Sequence, residues 1–489
     1  MEANKTQSSK KRKREEDRLS ILPQPVLHHI LSFLDMRFVV QSSLLSKTWR
    51  TIWTTVPFLN FDYHVCDDEC KFINFVDKTL LFRESSSIQI FHLNCGPRYL
   101  GFDFRPQWID LVVRRKVQVL DLEFMPDGSF VNLPHYLFTC KSLVKLKIVY
   151  TSGLCARQFS VFSLPYLVNL PNIKTLHFNS LLFNGTVFFQ QLFLGCPSLE
   201  TLIMINCGLH NVDTVTISAT QLKHLEIDNF YSEIQTWGQT DRSKCEITIS
   251  TPNLTSLVCT FDILNKCSPE GLTSLVKGDI VIELPYYHRE SIEELKLSSS
   301  WKKEFRIYMT KILQGLANAK SLNLSALLLE VLPKSTGDLP TPLPLLKQLK
   351  LTIWFSKNCI RSIMCLLEMS FNLETLLLQI THDCCSKHVT YPYCNETQVD
   401  PAKIWEYWQT DLALDSNLCH LKFVEIRNIR GCVNELEFLK LLLKNAISLE
   451  KMTIFTSQEH YPCRRQLKKF SDALLSFARA SSNIAILFF

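Results

Sequence analysis

The pattern of apolar and polar positions changes character twice along the chain. Residues 1–16 are polar and charged with no apolar period, which predicts a disordered tail. From Asp17 to about Asp62 short apolar stripes follow helical spacing. After Leu22-Pro23 come Val26, Leu27, Ile30, Leu31 and Leu34, with Pro23 where a helix start tolerates proline. A break at Asp35-Met36 precedes Phe38-Val39-Val40, running to Leu44-Leu45. Ser46 then caps a third segment that carries Trp49, Ile52 and Trp53 on one face and ends at Pro57. The spacing predicts three short helices, too small to bury all their apolar surface alone, so the remainder is expected to form an interface.

Beyond Pro57 one motif recurs: an apolar residue, two others, an apolar residue, one other, an apolar residue. It reads Val117-Leu120-Leu122, Leu143-Leu146-Ile148, Ile173-Leu176-Phe178, Leu199-Leu202-Met204, Leu222-Leu225-Ile227 and Leu254-Leu257-Cys259. It continues as Ile292-Leu295-Leu297, Ala319-Leu322-Leu324, Leu346-Leu349-Leu351, Leu373-Leu376-Leu378, Leu421-Val424-Ile426 and Leu449-Met452-Ile454. Seven of the eleven intervals between first members fall between 23 and 28 residues. That period resembles the leucine-rich repeat, in which one strand and one return segment cannot bury an apolar side alone and must stack on neighbours. The competing reading is a plain α/β domain with leucine-rich strands. Phe188–Cys196, apolar and stopped by Gly195 and Pro197, is expected to be a helical return. Three intervals hold extra residues, 231–247, 262–288 and 382–415, expected as insertions on one rim. The last is rich in Tyr391, Tyr393, Trp405, Tyr407 and Trp408.

Composition narrows the chemistry. At 489 residues with 46% hydrophobic side chains, the chain is too long for one ordinary core, so it holds several domains or a repeat array. No two of its 13 glycines lie two or four apart, which removes dinucleotide fingerprints, kinase-type glycine loops and nucleophile elbows. None of the 18 cysteines are three apart, so C-x-x-C is absent, and no two histidines are four apart. The nearest metal-like cluster, His382, Cys384, Cys385, His388 and Cys394, reads better as a polar loop with thiols. No metal site, cofactor or catalytic residue is expected. The start lacks an apolar signal core and no run approaches membrane-spanning length, so the chain is expected inside the cell, off the membrane, with reduced thiols. Seven basic against four acidic groups put +3 of the net +6 charge in residues 1–18. The body is nearly neutral, which argues against a nucleic-acid surface. Within that tail Lys10, Lys11, Arg12, Lys13 and Arg14 resemble a nuclear-import signal, so the expected location is nucleus and/or cytoplasm.

Three segments resemble known modules. Leu22-Pro23, Leu27, Ile30-Leu31-Ser32-Phe33-Leu34, Ser43, Leu45-Ser46-Lys47, Trp49-Arg50 and Trp53 are similar in order and spacing to the F-box in its higher-plant form. Two departures are visible: Asp35 stands where a proline often follows the first helix, and Thr48 where a basic residue is usual. Leu421–Ile426, Arg430-Gly431, Glu435–Glu437, Leu441–Ala446 and Leu449–Ile454 resemble the FBD module, to which no catalytic role attaches. The three together resemble the plant F-box/FBD/LRR family. The implied fold is α/β: a short all-α three-helix F-box (17–62) after the tail (1–16), then an irregular leucine-rich-repeat solenoid of parallel strands and outer helices (117–400). The FBD module (401–457) would continue that solenoid, and a capping segment (458–489) would close it.

What the resemblance implies is docking to a Skp-family adaptor and, through it, a cullin-RING ubiquitin ligase. Leu22, Pro23, Val26, Leu27, Ile30, Leu31, Leu45 and Trp49 would contact the adaptor or hold the contacting helices. The repeats would bind an unidentified protein substrate, and the chain itself would be no enzyme. The alternative is a ligase-independent interaction scaffold using the repeats alone.

Overall fold

Proline, aspartate and hydroxyl side chains decide where the first elements begin and stop. In the computed structural model, Pro23 precedes the helix Gln24–Leu31, and Asp35 caps the helix Met36–Gln41 by accepting the Arg37 N–H at 2.7 Å. The same carboxylate accepts the Asp62 N–H at 3.2 Å and so ties the helix start to the first strand. The second apolar stretch ends in a 3-10 turn at Ser42–Leu44, and the third segment is not α-helical but forms a 3-10 turn at Ile52–Thr54. Hydroxyls compete there for backbone carbonyls. Ser42 donates to Val39 O, Thr54 to Thr51 O and Thr55 to Ile52 O, at 2.6, 2.7 and 3.0 Å.

The structure describes residues 19, 21–66, 68–84, 86–97, 105–125, 133–150, 160–162, 167–184, 187–210, 214–232, 246–262, 266–283, 299–332, 342–353, 357–381, 418–457 and 464–489. The basic tail with Lys10–Arg14, the Ile292 triplet, the cluster around His382 and the aromatics between Tyr391 and Trp408 lie outside the described residues. The chain divides into two units, Met1–Ile148 and Val149–Phe489.

In the first unit the repeat begins earlier than its leucines suggest. Strands Phe58–Asp62, Ile90–Pro97 and Val119–Met125 pair in parallel, aligning Leu59, Phe91 and Leu120 in one row and Phe61, Leu93 and Leu122 in the next. Helices Glu69–Phe82 and Pro106–Arg114 return the chain between them. Val56-Leu59-Phe61 and Ile88-Phe91-Leu93 carry the same spacing as the later triplets and are fully buried. Arg83, also buried, donates to Val56 O and to Ser86 Oγ at 3.3 Å, fastening the end of the first return helix to the start of the first strand.

In the second unit eleven strands among the described residues form one parallel ladder. They are Thr175–Asn179, Thr201–Ile205, His224–Ser232, Ser256–Asp262, Lys277–Glu283, Ser321–Leu324, Gln348–Ile353, Thr375–Ile380, Phe423–Ile429, Lys451–Thr456 and Ala485–Phe488. The register carries the repeat's middle leucine from strand to strand as Leu176, Leu202, Leu225, Leu257, Gly278, Leu322, Leu349, Leu376, Val424, Met452 and Ile486. Lys277–Glu283 pairs directly with Ser321–Leu324, so this strand holds the ladder position for which the leucine pattern nominates the Ile292 triplet. Glycine hides it. A Cβ at Gly278 would lie 2.8 Å from Leu322 Cδ2 and 3.0 Å from Leu316 Cδ2, so those leucines fill the space instead.

Helices Val187–Gly195, Ser299–Gly315, Ala326–Val331, Lys357–Met369, Val433–Asn445 and Arg464–Ser476 supply returns in this unit. The expected helix over 188–196 therefore stands, and Gly195 ends it against the chain: a Cβ there would lie 2.3 Å from Val168 O. Two of the three expected insertions are partly something else. Glu246–Ser250 and Lys266–Glu270 join Thr214–Ile217 in a second parallel sheet on the return side. Their Thr-Val-Thr-Ile and Ile-Thr-Ile runs favour strand over helix, and Ile217, Ile247 and Ile249 are buried. The segment after the FBD stretch is a further helix and strand, and Ala485–Phe488 pairs on Lys451–Thr456.

Candidate functional site

A helix that is apolar on two faces can bury only one of them in a small unit. Along Gln24–Leu31 the Leu27/Leu31 stripe is buried, whereas Val26 and Ile30, one residue earlier at each step, are exposed. Leu27 and Leu31 are buried along with Met36, Val39, Trp49, Ile52 and Val56. What remains outside is unusual for a soluble surface. Nine of the 25 exposed large apolar side chains among the described residues fall between Leu19 and Leu45: Leu19, Ile21, Val26, Ile30, Phe33, Leu34, Phe38, Leu44 and Leu45. Leu44 is 86% exposed, Phe33 75% and Leu45 67%. Such a concentration marks an interaction surface.

The eight side chains singled out from the sequence therefore split. Pro23, Val26, Ile30 and Leu45 are exposed, Leu22 is half-buried, and Leu27, Leu31 and Trp49 are interior and hold the helices that present the rest. Ile21, Phe33, Leu34, Phe38 and Leu44 were not among them and are exposed. The signal for them lay in the excess of apolar residues over what one helical stripe needs.

Polar contacts fix the frame of this surface. Gln24 Nε2 donates to Thr55 Oγ1 at 2.9 Å, His28 Nε2 lies 3.2 Å from the same oxygen, and Arg37 donates to Val65 O. Burial, and then the nearby Arg83 guanidinium, lowers the His28 pKa, favouring a neutral ring. Burial raises the Asp35 pKa against the pull of its backbone donors. Asp35, a departure from the usual pattern, is thus a structural cap.

Elsewhere in the first unit the strand face carries His92, Asp121 and Lys147. Asp121 Oδ2 lies 3.4 Å from His92 Nδ1 and 3.2 Å from Lys147 Nζ. Burial pushes the Asp121 carboxyl up, but those two partners outweigh it and leave its pKa lowered. The thiols of Cys196, Cys207 and Cys267 are pushed up to about 12 by burial, so they are poor nucleophiles and poor ligands. Among the described residues no group of three or more His, Cys, Asp or Glu is placed to hold a metal, and no helix is long and apolar enough to cross a membrane.

The FBD-like stretch is built around one buried carboxylate. Glu435, on the first turn of Val433–Asn445, accepts the backbone N–H of Gly431 at 2.7 Å, Cys432 at 2.8 Å and Arg430 at 3.1 Å. Burial raises its pKa, opposed by those backbone donors. Asn428 and Gly431 take φ of +65° and +80°, turning the chain so that all three amides converge.

Comparison with known proteins agrees with this layout. The family model for the F-box domain matches residues 19–61, and the one described as FBD-associated F-box protein At5g56370, LRR repeats, matches 106–273. The FBD model matches 415–454. The F-box/LRR-repeat protein At3g59200 of Arabidopsis thaliana is 28% identical, over 96% of this chain and 88% of that protein. The F-box/LRR-repeat protein At4g14103, from the same plant, is 30% identical over 74% of this chain and 91% of its own length. The F-box/FBD/LRR-repeat protein At5g56420 of Arabidopsis thaliana is 33% identical over 43% of this chain and 49% of that protein.

Proposed function

The chain belongs to the F-box/FBD/LRR-repeat family, and on that premise we propose that it is the substrate-recognition subunit of an SCF-type (Skp–cullin–F-box) ubiquitin ligase. The observation that carries this reading is the concentration of exposed apolar side chains between Leu19 and Leu45, held on a folded frame by Leu27, Leu31 and Trp49. Such a surface is suited to a preformed apolar groove, and the Skp-family adaptor is the partner that the F-box supplies. Leu22, Pro23, Val26, Ile30 and Leu45, joined by Phe33 and Leu44, form the contact in this reading.

The ladder of the second unit then holds the target. Its mechanism is positional: this chain makes and breaks no bond, but raises the effective concentration of a target lysine near the ubiquitin carrier, to the millimolar range typical of short tethers. The place of action is the nucleus and/or cytoplasm, with Lys10–Arg14 as the import signal.

The test is capture of partners under proteasome inhibition, comparing the intact chain with one lacking residues 17–62. The intact chain is expected to bring down a Skp-family adaptor and a cullin. The truncated chain is expected to lose both while accumulating target proteins. An adaptor recovered equally with both chains would contradict the proposal. Targets recovered equally with both, and no adaptor with either, would favour a scaffold working outside any ligase.

A further inference from the structure

Just before each strand of the second unit, the backbone forms a ladder of its own. Lys347 N–H bonds Lys320 O, Glu374 N–H bonds Lys347 O and Lys422 N–H bonds Glu374 O, each at 2.9 Å. Side chains at this step are therefore held one strand spacing apart, about 4.8 Å. Earlier in the same ladder the charges balance in a short alternating run: Glu200 takes Lys174 at 3.0 Å and Lys223 at 2.9 Å. Around Glu374 they do not. Lys347 pairs with it at 2.8 Å, Lys422 stands between Glu374 and Glu450, whose N–H bonds Lys422 O at 2.9 Å, and Lys320 at the near end forms no ion pair among the described residues.

These four side chains and His420 line a cleft of about 230 Å³. Three lysines against one glutamate leave it a formal charge of +2 with the histidine neutral. A second, smaller notch of about 20 Å³ shares His420 with it and is lined by Ser370, which is 2% exposed. The Ser370 Oγ is buried without a hydrogen-bond partner among the described residues. Buried hydroxyls normally find a partner, and this notch is the size of one water or one ligand oxygen.

We infer that this cleft receives an acidic segment of the target protein through one doubly negative group, a phosphoryl ester or two adjacent carboxylates; the inference deepens the substrate-receptor reading and rests on it. The charge matches: a dianion offsets the excess of two on the side chains that line the cleft and gives Lys320, unpaired among the described residues, a counter-charge. A nucleic acid is a poorer occupant. It needs a continuous basic track, and the Lys174–Glu200–Lys223 stretch of the same ladder is instead salt-bridged.

The experiment uses the full chain bound to its adaptor and three fluorescent peptides of one glycine-serine-rich sequence, carrying phosphoserine, Glu-Glu or Ser-Gln at the centre, with inorganic phosphate as a fourth probe. At least one anionic peptide is expected to bind roughly tenfold more tightly than the Ser-Gln peptide, and K320A/K422A to remove that difference. K320R/K422R should keep it, K174A/K223A should not alter it, and added salt should weaken it. Equal affinity for the neutral peptide, indifference to K320A/K422A, binding of inorganic phosphate alone, or no binding of any probe would each overturn the inference. Adaptor capture is read on every variant: if it persists while the peptides fail, the cleft is wrong and the receptor reading stands.

Discussion

The double variant L44D/L45D is expected to bind a Skp-family adaptor more than about 100-fold more weakly than the parent chain, with an unchanged fold. Leu44 is 86% exposed and Leu45 67%, so neither side chain contributes much to the interior of the first unit. In an adaptor complex both would be desolvated, and an uncompensated carboxylate there costs several kcal/mol. Leu31→Ala makes the contrast. Leu31 is 1% exposed, so its truncation should destabilise the first unit by about 2–5 kcal/mol and weaken capture only through unfolding. Titration of adaptor against each variant, with thermal melts alongside, separates the two effects. Full adaptor affinity in L44D/L45D would remove these residues from the interface.

Glu435→Ala is expected to destabilise the C-terminal part of the ladder by about 3–5 kcal/mol, and Glu435→Gln by less than about 2 kcal/mol. The alanine leaves the amides of Arg430, Gly431 and Cys432 without their acceptor and opens a void at a buried position, whereas glutamine keeps one carbonyl oxygen for them. In a stack whose repeats touch mainly their neighbours, the damage should stay local. Amide exchange should therefore quicken across Phe423–Ile429 and Lys451–Thr456 and stay unchanged across Thr175–Asn179 and Thr201–Ile205. A uniform change along the ladder, or none, would show that the carboxylate is not what folds this turn. The FBD match thus marks one strand–helix–strand step of the ladder with an acid-held turn.

The parts legible in the sequence are those in which one residue type repeats at a fixed step. Leucine triplets located the strands at Leu199, Leu222, Leu346 and Leu373 because every turn of the stack imposes the same burial on the same three positions. The method stalled where the position was kept and the residue type changed. Val56-Leu59-Phe61 and Ile88-Phe91-Leu93 satisfy the same burial with β-branched and aromatic side chains, and Gly278 fills its place with the leucines of its neighbours. The third helix failed for another reason: helical spacing of Trp49, Ile52 and Trp53 does not register that Thr54 and Thr55 spend their hydroxyls on nearby carbonyls.

For the exposed apolar surface, the sequence pointed to the segment but not to which face looks outward. Val26/Ile30 and Leu27/Leu31 are equivalent stripes until the frame through Thr55 and Asp35 picks the inner one. The basic cleft was out of reach altogether. Lys320, Lys347 and Lys422 lie far apart in the chain, and only the strand register brings them together.

The most direct test of the account is amide hydrogen exchange of the full chain with and without a Skp-family adaptor. The account predicts strong protection on adaptor binding within Leu19–Thr54, centred on Gln24–Leu31 and Ser42–Leu44, and none in the strands from Thr175 to Ile454. Protection confined to the ladder, or no protection anywhere at saturating adaptor, would contradict it.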